Sequence, residues 1–118
     1  YHNAELTYEL TKKLLNLPVP PTCIFMPDDY SAIGGINAIV DSGLSVPKDI
    51  SIVGYDGISL GQLLKPCLTT YRQSTASMGI HAARNLISLI ENPQTTFPEV
   101  INITGELLIK DSVGKITV

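Results

Sequence analysis

Three aspartates are the residues of this sequence best placed to do chemistry. Asp28 and Asp29 follow an apolar run at residues 22–26 after a single proline, and Asp56 comes shortly after a second apolar run at residues 50–53. Both runs predict buried strands. The carboxyl ends of parallel strands meet at one edge of a sheet, and ligands bind outside that edge. We therefore expect these carboxylates to be delivered to one pocket.

Carboxylates alone support several kinds of chemistry. Catalysis needs a partner base or nucleophile, but His2 is terminal and His81 lies inside a predicted helix, far in sequence from the acids. A magnesium site made by the three aspartates is chemically possible, although no glycine-rich phosphate loop accompanies it. Recognition of hydroxyl groups demands less, because one carboxylate accepts two hydrogen bonds from neighbouring hydroxyls. The sequence therefore favours binding of a small polar molecule, with no catalytic residue, metal ligand or cofactor.

Local structure offers other roles for the same acids. A short carboxylate accepts hydrogen bonds from the free N–H groups of a helix's first turn. We expect Asp29 to cap the helix that follows, with Asp28 as the alternative cap. Asp56 also fits an Asx turn before Gly57.

Helices are predicted where apolar residues recur at helical spacing. The first helix ends before Pro18, the second ends with Gly43 in a left-handed conformation, the third begins at Ser74, and residues 59–65 form a short helix. The apolar faces of the three long helices comprise, in turn, Leu6, Leu10, Leu14 and Leu17; Ala32, Ile33, Ile36, Ile39 and Val40; and Ala76, Ile80, Ala83, Ile87 and Ile90.

Further strands are predicted at residues 68–72, 100–103 and 106–109. Because strands and helices alternate, we expect an α/β fold of three layers, with a largely parallel sheet between helices. The 118 residues allow at most one domain.

Composition excludes several classes of protein. The net charge is −3 with no run of Lys or Arg, so we do not expect this segment itself to bind DNA. No apolar run approaches the roughly 20 residues of a membrane helix, and we expect no membrane partner. Cys23 and Cys67 lack metal or redox spacing, and we interpret both as small core residues.

Several segments together resemble one family, the lactose-repressor/galactose-repressor (LacI/GalR) transcription regulators. Residues 43–56, GLSVPKDISIVGYD, are similar to its G-L-x-V-P-x-D-x-S-[IV]-x-G-[FY]-D signature. Residues 29–34, DYSAIG, resemble its D-x-x-A-x-G helix start, and residues 66–73, PCLTTYRQ, resemble P-x-L-T-T-x-x-Q. The resemblance covers nearly the whole chain and implies an incomplete periplasmic-binding-protein-like (type I) lobe.

The resemblance also implies roles for particular residues. Asp56 matches the family's effector-contacting acid, and Asp28 stands where the family usually has Asn, another ligand contact. Thr70, Arg72 and Gln73 fall in a hinge crossing. Residues 67–103 would supply this crossing and a helix and strand of the first lobe, within a partial effector-binding and dimerisation domain that spans residues 1–118.

The implied protein is a cytoplasmic homodimer that senses a sugar or polyol and binds operator DNA only through an N-terminal head absent from this chain. The 58–64 loop and the first helix would lie near the dimer contact. The main alternative is a periplasmic sugar receptor of a transport system, and a metal-dependent enzyme is a third. Upstream sequence separates the first two, since a helix-turn-helix indicates regulation and a signal peptide indicates transport.

Overall fold

The computed structural model describes residues 2–95, 97 and 99–115. The long helices are α1 (Ala4–Leu15), α2 (Asp29–Asp41) and α3 (Thr75–Glu91), with one short 3-10 turn at Ser59–Gln62. The strands are β1 (Cys23–Phe25), β2 (Ser51–Asp56), β3 (Thr69–Arg72) and β4 (Glu106–Leu108). The chain divides into two compact units, one comprising the residues up to Arg72 and those from Leu107 onward, the other Gln73–Glu106.

The strands form one sheet in the order β1-β2-β3-β4. β1 pairs with β2 in parallel, with Ile24 opposite Ile52. β2 pairs with β3 in parallel, with Gly54 opposite Thr70 and Asp56 opposite Arg72. Because β2 and β3 are parallel neighbours, the residues at their carboxyl ends lie side by side. The predicted α/β class with a mainly parallel sheet is confirmed.

Helices α1 and α2 begin and end where local chemistry favours it. The Asn3 side chain caps α1 by accepting from Leu6 N, and Glu5 and Lys13 place charges of the appropriate sign at the two helix ends. Gly43 follows α2 with φ +78, as predicted. α1 and α2 approach closely, since a Cβ on Gly34 would overlap the Ala4 carbonyl oxygen.

The core of the first unit lies between the sheet and α2. It consists of Met26, Ala32, Ile36, Ile39, Ile50, Ile52 and Leu68. Burying seven such side chains supplies the main stabilisation of this unit, at about 25 cal/mol per Å² of apolar surface.

The predicted burial of the first strand and of Cys23 is wrong. β1 lies at the sheet edge rather than in the interior, so Phe25 is 64% exposed. Cys23, predicted as a core residue, is exposed, and Cys67 is half-buried. Val40 is also exposed, because it points away from the face of α2 that meets the core. The leucine row of α1 is exposed as well, since α1 packs against α2 through other residues, including the buried Thr11.

The second unit is built around α3. Ser74 is the N-cap residue of α3, as predicted, and its hydroxyl donates to the Thr104 carbonyl oxygen over 2.7 Å. Within α3, all of whose residues are described, no side chain is buried, so the predicted apolar face is exposed. The predicted strand at residues 100–103 is also wrong, because those residues adopt no regular structure.

Candidate functional site

Asp28 caps α2, which corrects the expectation that Asp29 does so. Its backbone is extended, with φ −161 and ψ 167, and the side chain folds back over the first turn. Oδ1 accepts from Ser31 N at 2.7 Å, while Oδ2 accepts from Ser31 Oγ at 3.0 Å and from His2 N at 2.9 Å. Asp29 is already the first helical residue, so its side chain points elsewhere.

The Asp28 carboxylate is 1% exposed and fully engaged by these donors. Burial raises its pKa, but the hydrogen bonds from His2 and Ser31 outweigh burial and leave the pKa below its ordinary value. Asp28 is thus held ionised as a helix cap. Its role as a ligand contact stays a prediction, and a ligand there would share oxygens that already accept from the protein.

Asp29 is also 1% exposed, but it connects distant parts of the unit. Its Oδ2 accepts from Ile58 N at 2.8 Å, its Oδ1 accepts from Thr70 Oγ1 at 2.5 Å, and Gly57 N donates to the same carboxylate. Burial raises the pKa of Asp29, the three donors oppose the rise, and the charge of Asp56 adds to it. Two carboxylates are therefore near each other at the carboxyl edge of the sheet.

Asp56 ends β2 in an unusual backbone conformation. Its φ is +103, and the following Gly57 has φ +73. A non-glycine residue in this region costs of order 1–3 kcal/mol, and such residues cluster at functional sites. Asp56 is half-buried and lies opposite Arg72 in the sheet register. The sequence predicted a turn here but gave no sign of its strain.

The predicted hinge residues lie at the boundary of the two units. Thr70 is fully buried on β3, Arg72 is the last residue of the first unit's β3, and Gln73 begins the second unit. Beside them, Tyr55 and Tyr71 stack across β2 and β3, with ring centroids 5.6 Å apart and planes 15° from parallel. The structure thus gathers Asp29, Asp56, Thr70 and Arg72 at the ends of two neighbouring strands.

The amino edge of the sheet has a different surface. A groove of about 370 Å³ is lined by Thr22, Pro47, Lys48, Asp49, Ser51, Gly114 and Lys115. Thr22 and Ser51 stand at the starts of β1 and β2, so this groove lies away from the three aspartates. Across the described ranges, no group of three or more His, Cys, Asp or Glu residues is arranged to hold a metal ion. In the same part of the chain, no helix has the length and apolar character needed to span a bilayer.

Residues 2–113 match the family model for the periplasmic-binding-protein-like domain. Among curated proteins, the probable transcriptional repressor ExuR of Bacillus subtilis is 37% identical over 116 residues, covering 98% of this chain and 34% of the relative. The transcriptional repressor PurR of Pasteurella multocida is 41% identical over 106 residues, covering 90% and 31%. The chain therefore spans about a third of the length of these relatives.

Solved structures show the same architecture. A putative LacI transcriptional regulator from Bacillus cereus subsp. cytotoxis superposes with a TM-score of 0.92 at 29% identity, covering 98% of this chain and 41% of that one. A LacI-family regulator from Enterococcus faecium with bound ribose gives 0.86 at 28% identity, covering 98% and 42%. One from Arthrobacter in complex with lactose gives 0.79 at 27%, covering 95% and 42%.

The fold and the domain match define the class, a periplasmic-binding-protein-like effector core of which this chain forms an incomplete lobe. Its relatives are transcriptional repressors, and the solved structures that it resembles are LacI regulators. The chain therefore belongs to the LacI/GalR family.

Proposed function

We propose that this chain is part of the effector-sensing core of a LacI-type transcription regulator and that its effector is a sugar or related polyol. The observation that carries the proposal is the strained Asp56, held at a strand end beside the buried Asp29. A carboxylate in that position accepts hydrogen bonds from neighbouring hydroxyls. Structural relatives bind ribose and lactose, which supports this ligand class.

The binding step becomes a signal when the effector binds one conformation of the protein better than another. The difference in affinity shifts the population of conformations, and the size of the shift is limited by that difference. Thr70, Arg72 and Gln73 act as the hinge in this proposal. The boundary of the compact units between Arg72 and Gln73 supports that assignment.

The regulator acts in the cytoplasm on operator DNA, through a head that lies outside this segment. The chain itself carries a net charge of −3, which suits an effector domain rather than a DNA-binding surface. It is not an enzyme in this proposal. The relatives ExuR and PurR are a probable and a known transcriptional repressor, which favours regulation over a transport receptor.

We also propose a homodimer through the surface next to the 58–64 loop. Leu60 and Leu63 are 38% and 77% exposed there, and an exposed apolar surface of this kind is typical of a protein interface. Replacing Leu63 by Asp is expected to shift the protein from dimer to monomer in analytical ultracentrifugation. An unchanged sedimentation coefficient at micromolar concentration contradicts this interface.

The proposed function is tested on the full-length protein by measuring DNA release. Fluorescence anisotropy of labelled operator DNA is recorded while ribose, glucose, lactose and cellobiose are titrated. We expect one or more of these sugars to change DNA affinity and Asp56→Ala to abolish that response. Asp41→Asn is the control, because Asp41 is an exposed acid that contacts only the Tyr8 hydroxyl in the described hydrogen bonds. An unchanged response in Asp56→Ala removes Asp56 from the site.

A further inference from the structure

We propose that Asp29 is a positioning residue that holds the turn carrying Asp56 and ties that turn to β3. The inference deepens the proposed function, because it assigns the geometry of the Asp56 contact to a neighbouring buried group. Asp29 itself does not touch the effector in this account. Its carboxylate is enclosed by protein, with 1% of the residue exposed.

One carboxylate serves as the common acceptor for two separate segments. Gly57 N and Ile58 N, which immediately follow Asp56, donate to it from one side. Thr70 Oγ1, on β3, donates from the other side over 2.5 Å. Gly57, Ile58 and Thr70 are separated from Asp29 by 28, 29 and 41 positions in the sequence. All three contacts are therefore tertiary. A shift of β3 therefore moves the acceptor that fixes the Asp56 turn.

The turn needs such a fixed acceptor because its backbone is strained. Asp56 and Gly57 have successive φ values of +103 and +73. A conformation of this kind persists only where the surroundings over-determine it. Two N–H groups bound to a buried carboxylate provide that restraint, since hydrogen bonds to an ionised acceptor are stronger than those to a neutral one.

The Asp29 carboxylate is closely packed against Gly54. A Cβ on Gly54 would overlap Asp29 Oδ1 and lie 2.8 Å from Leu68 Cδ2. On the other side, a Cβ on Gly61 would lie 3.7 Å from Asp29 Oδ2, in ordinary van der Waals contact. The two glycines therefore make a matched pair. Gly54→Ala displaces the carboxylate and the Leu68 Cδ2 methyl group without changing any polar group, whereas Gly61→Ala leaves the carboxylate in place.

An amide tests the need for an acceptor. Asparagine has nearly the same shape, but its NH₂ group donates and cannot accept. Asp29→Asn therefore retains an acceptor for only one of the two segments. The charged group that acts on Asp29 from β2 is Asp56, whose charge favours protonation of Asp29.

The experiment is hydrogen exchange with mass spectrometry on the full-length protein, comparing residues 55–60 with residues 4–15 of α1. We expect exchange at residues 55–60 to be at least 10-fold faster in Asp29→Asn and Gly54→Ala, with Gly61→Ala unchanged and α1 unchanged in all three.

Equal acceleration at residues 55–60 and at α1 overturns the proposal, because Asp29 would then stabilise the whole unit without selecting the turn. Unchanged exchange in Asp29→Asn overturns it as well. Affinity for the same four sugars, measured by calorimetry, provides the second readout. If none binds wild-type protein, the sugar proposal fails while the exchange result still decides the role of Asp29. If one binds, and binds Asp29→Asn equally well, positioning of the contact is contradicted.

Discussion

The two edges of the sheet use similar residue types in opposite ways. At the carboxyl edge, Asp28 and Asp29 are buried and receive hydrogen bonds from donors aimed at them, and Asp56 adopts a strained backbone. At the amino edge, Lys48, Asp49 and Lys115 are exposed around an open groove. A buried charge must be compensated by fixed donors, whereas an exposed one is compensated by water. The comparison indicates that the carboxyl edge has the preorganised geometry that a specific ligand site requires.

The largest effect is expected from Asp29→Ala. This change leaves the amides of Gly57 and Ile58 and the Thr70 hydroxyl without their acceptor, and we expect a loss of about 3 kcal/mol in the free energy of unfolding. Asp49→Ala is the matched change at the amino edge, where Asp49 accepts from Ser45 N at an exposed position. We expect that loss to stay below about 1 kcal/mol. Urea denaturation of both variants measures the difference, and equal losses would remove the contrast between the edges.

The sequence was sufficient to locate the carboxyl edge of the sheet but not to predict the hydrogen bonds formed there. Alternation of apolar runs and helices placed Asp28 and Asp56 at strand ends, and the helix boundaries at Gly43 and Ser74 were predicted correctly. These features depend on neighbouring residues alone. The role of Asp29 was missed because its donors, Ile58 and Thr70, lie far away in the sequence. The signal that was available was the small Gly54 two residues before Asp56.

Burial was predicted less well than secondary structure for a related reason. A three-residue apolar strand has the same pattern at a sheet edge as in a sheet centre, so the exposure of Phe25 had no local signature. The apolar row of α3 has helical spacing, which depends on the helix alone, whereas its burial depends on a second surface. The helix itself was therefore predictable, and the exposure of Ile80 and Ile87 was not.

Ser112 supplies an intermediate test within the sheet. Its hydroxyl donates to Ile52 O at 2.6 Å and accepts from Thr69 N at 2.8 Å, so it bridges β2 and β3 at a fully buried position. Ser112→Ala leaves both backbone groups unsatisfied, and we expect the free energy of unfolding to fall by about 2 kcal/mol. Ser112→Thr retains the hydroxyl and is expected to restore part of the loss if the added methyl group fits. A loss in Ser112→Ala no greater than that in Asp49→Ala would contradict this bridge.

The adjacent carboxylates Asp28 and Asp29 are expected to contribute to stability with opposite pH dependence. The pKa of Asp28 is lowered from 3.8, so its contribution to stability is present above that pH and is lost as pH falls through the folded-state pKa. The pKa of Asp29 is raised from 3.8, so its contribution is present below that pH and is lost as pH rises through the folded-state pKa. The free energy of unfolding is measured for wild type, Asp28→Asn and Asp29→Asn at pH values on both sides of 3.8. The difference between each variant and wild type gives the pH dependence of the contribution of that carboxylate. Slopes of the same sign would contradict the assignment.

The smallest effect is expected at the lysines of the amino edge. Lys48 and Lys115 are exposed, and the described part of the chain shows no salt bridge for either. Replacing either by Ala is expected to change the free energy of unfolding by no more than about 0.5 kcal/mol. Thermal denaturation followed by circular dichroism checks this, and a clear loss in either variant would show that the groove is a structural element of the unit.

The most direct measurement is calorimetric titration of the full-length protein with ribose, glucose, lactose and cellobiose, in wild type, Asp56→Asn and Lys48→Ala. We predict that a sugar that binds the wild type binds Asp56→Asn at least about 10-fold more weakly, because a charge-assisted hydrogen bond is lost. We expect Lys48→Ala to leave the affinity unchanged. Unchanged affinity in Asp56→Asn, or a loss confined to Lys48→Ala, would contradict the placement of the effector at the carboxyl edge.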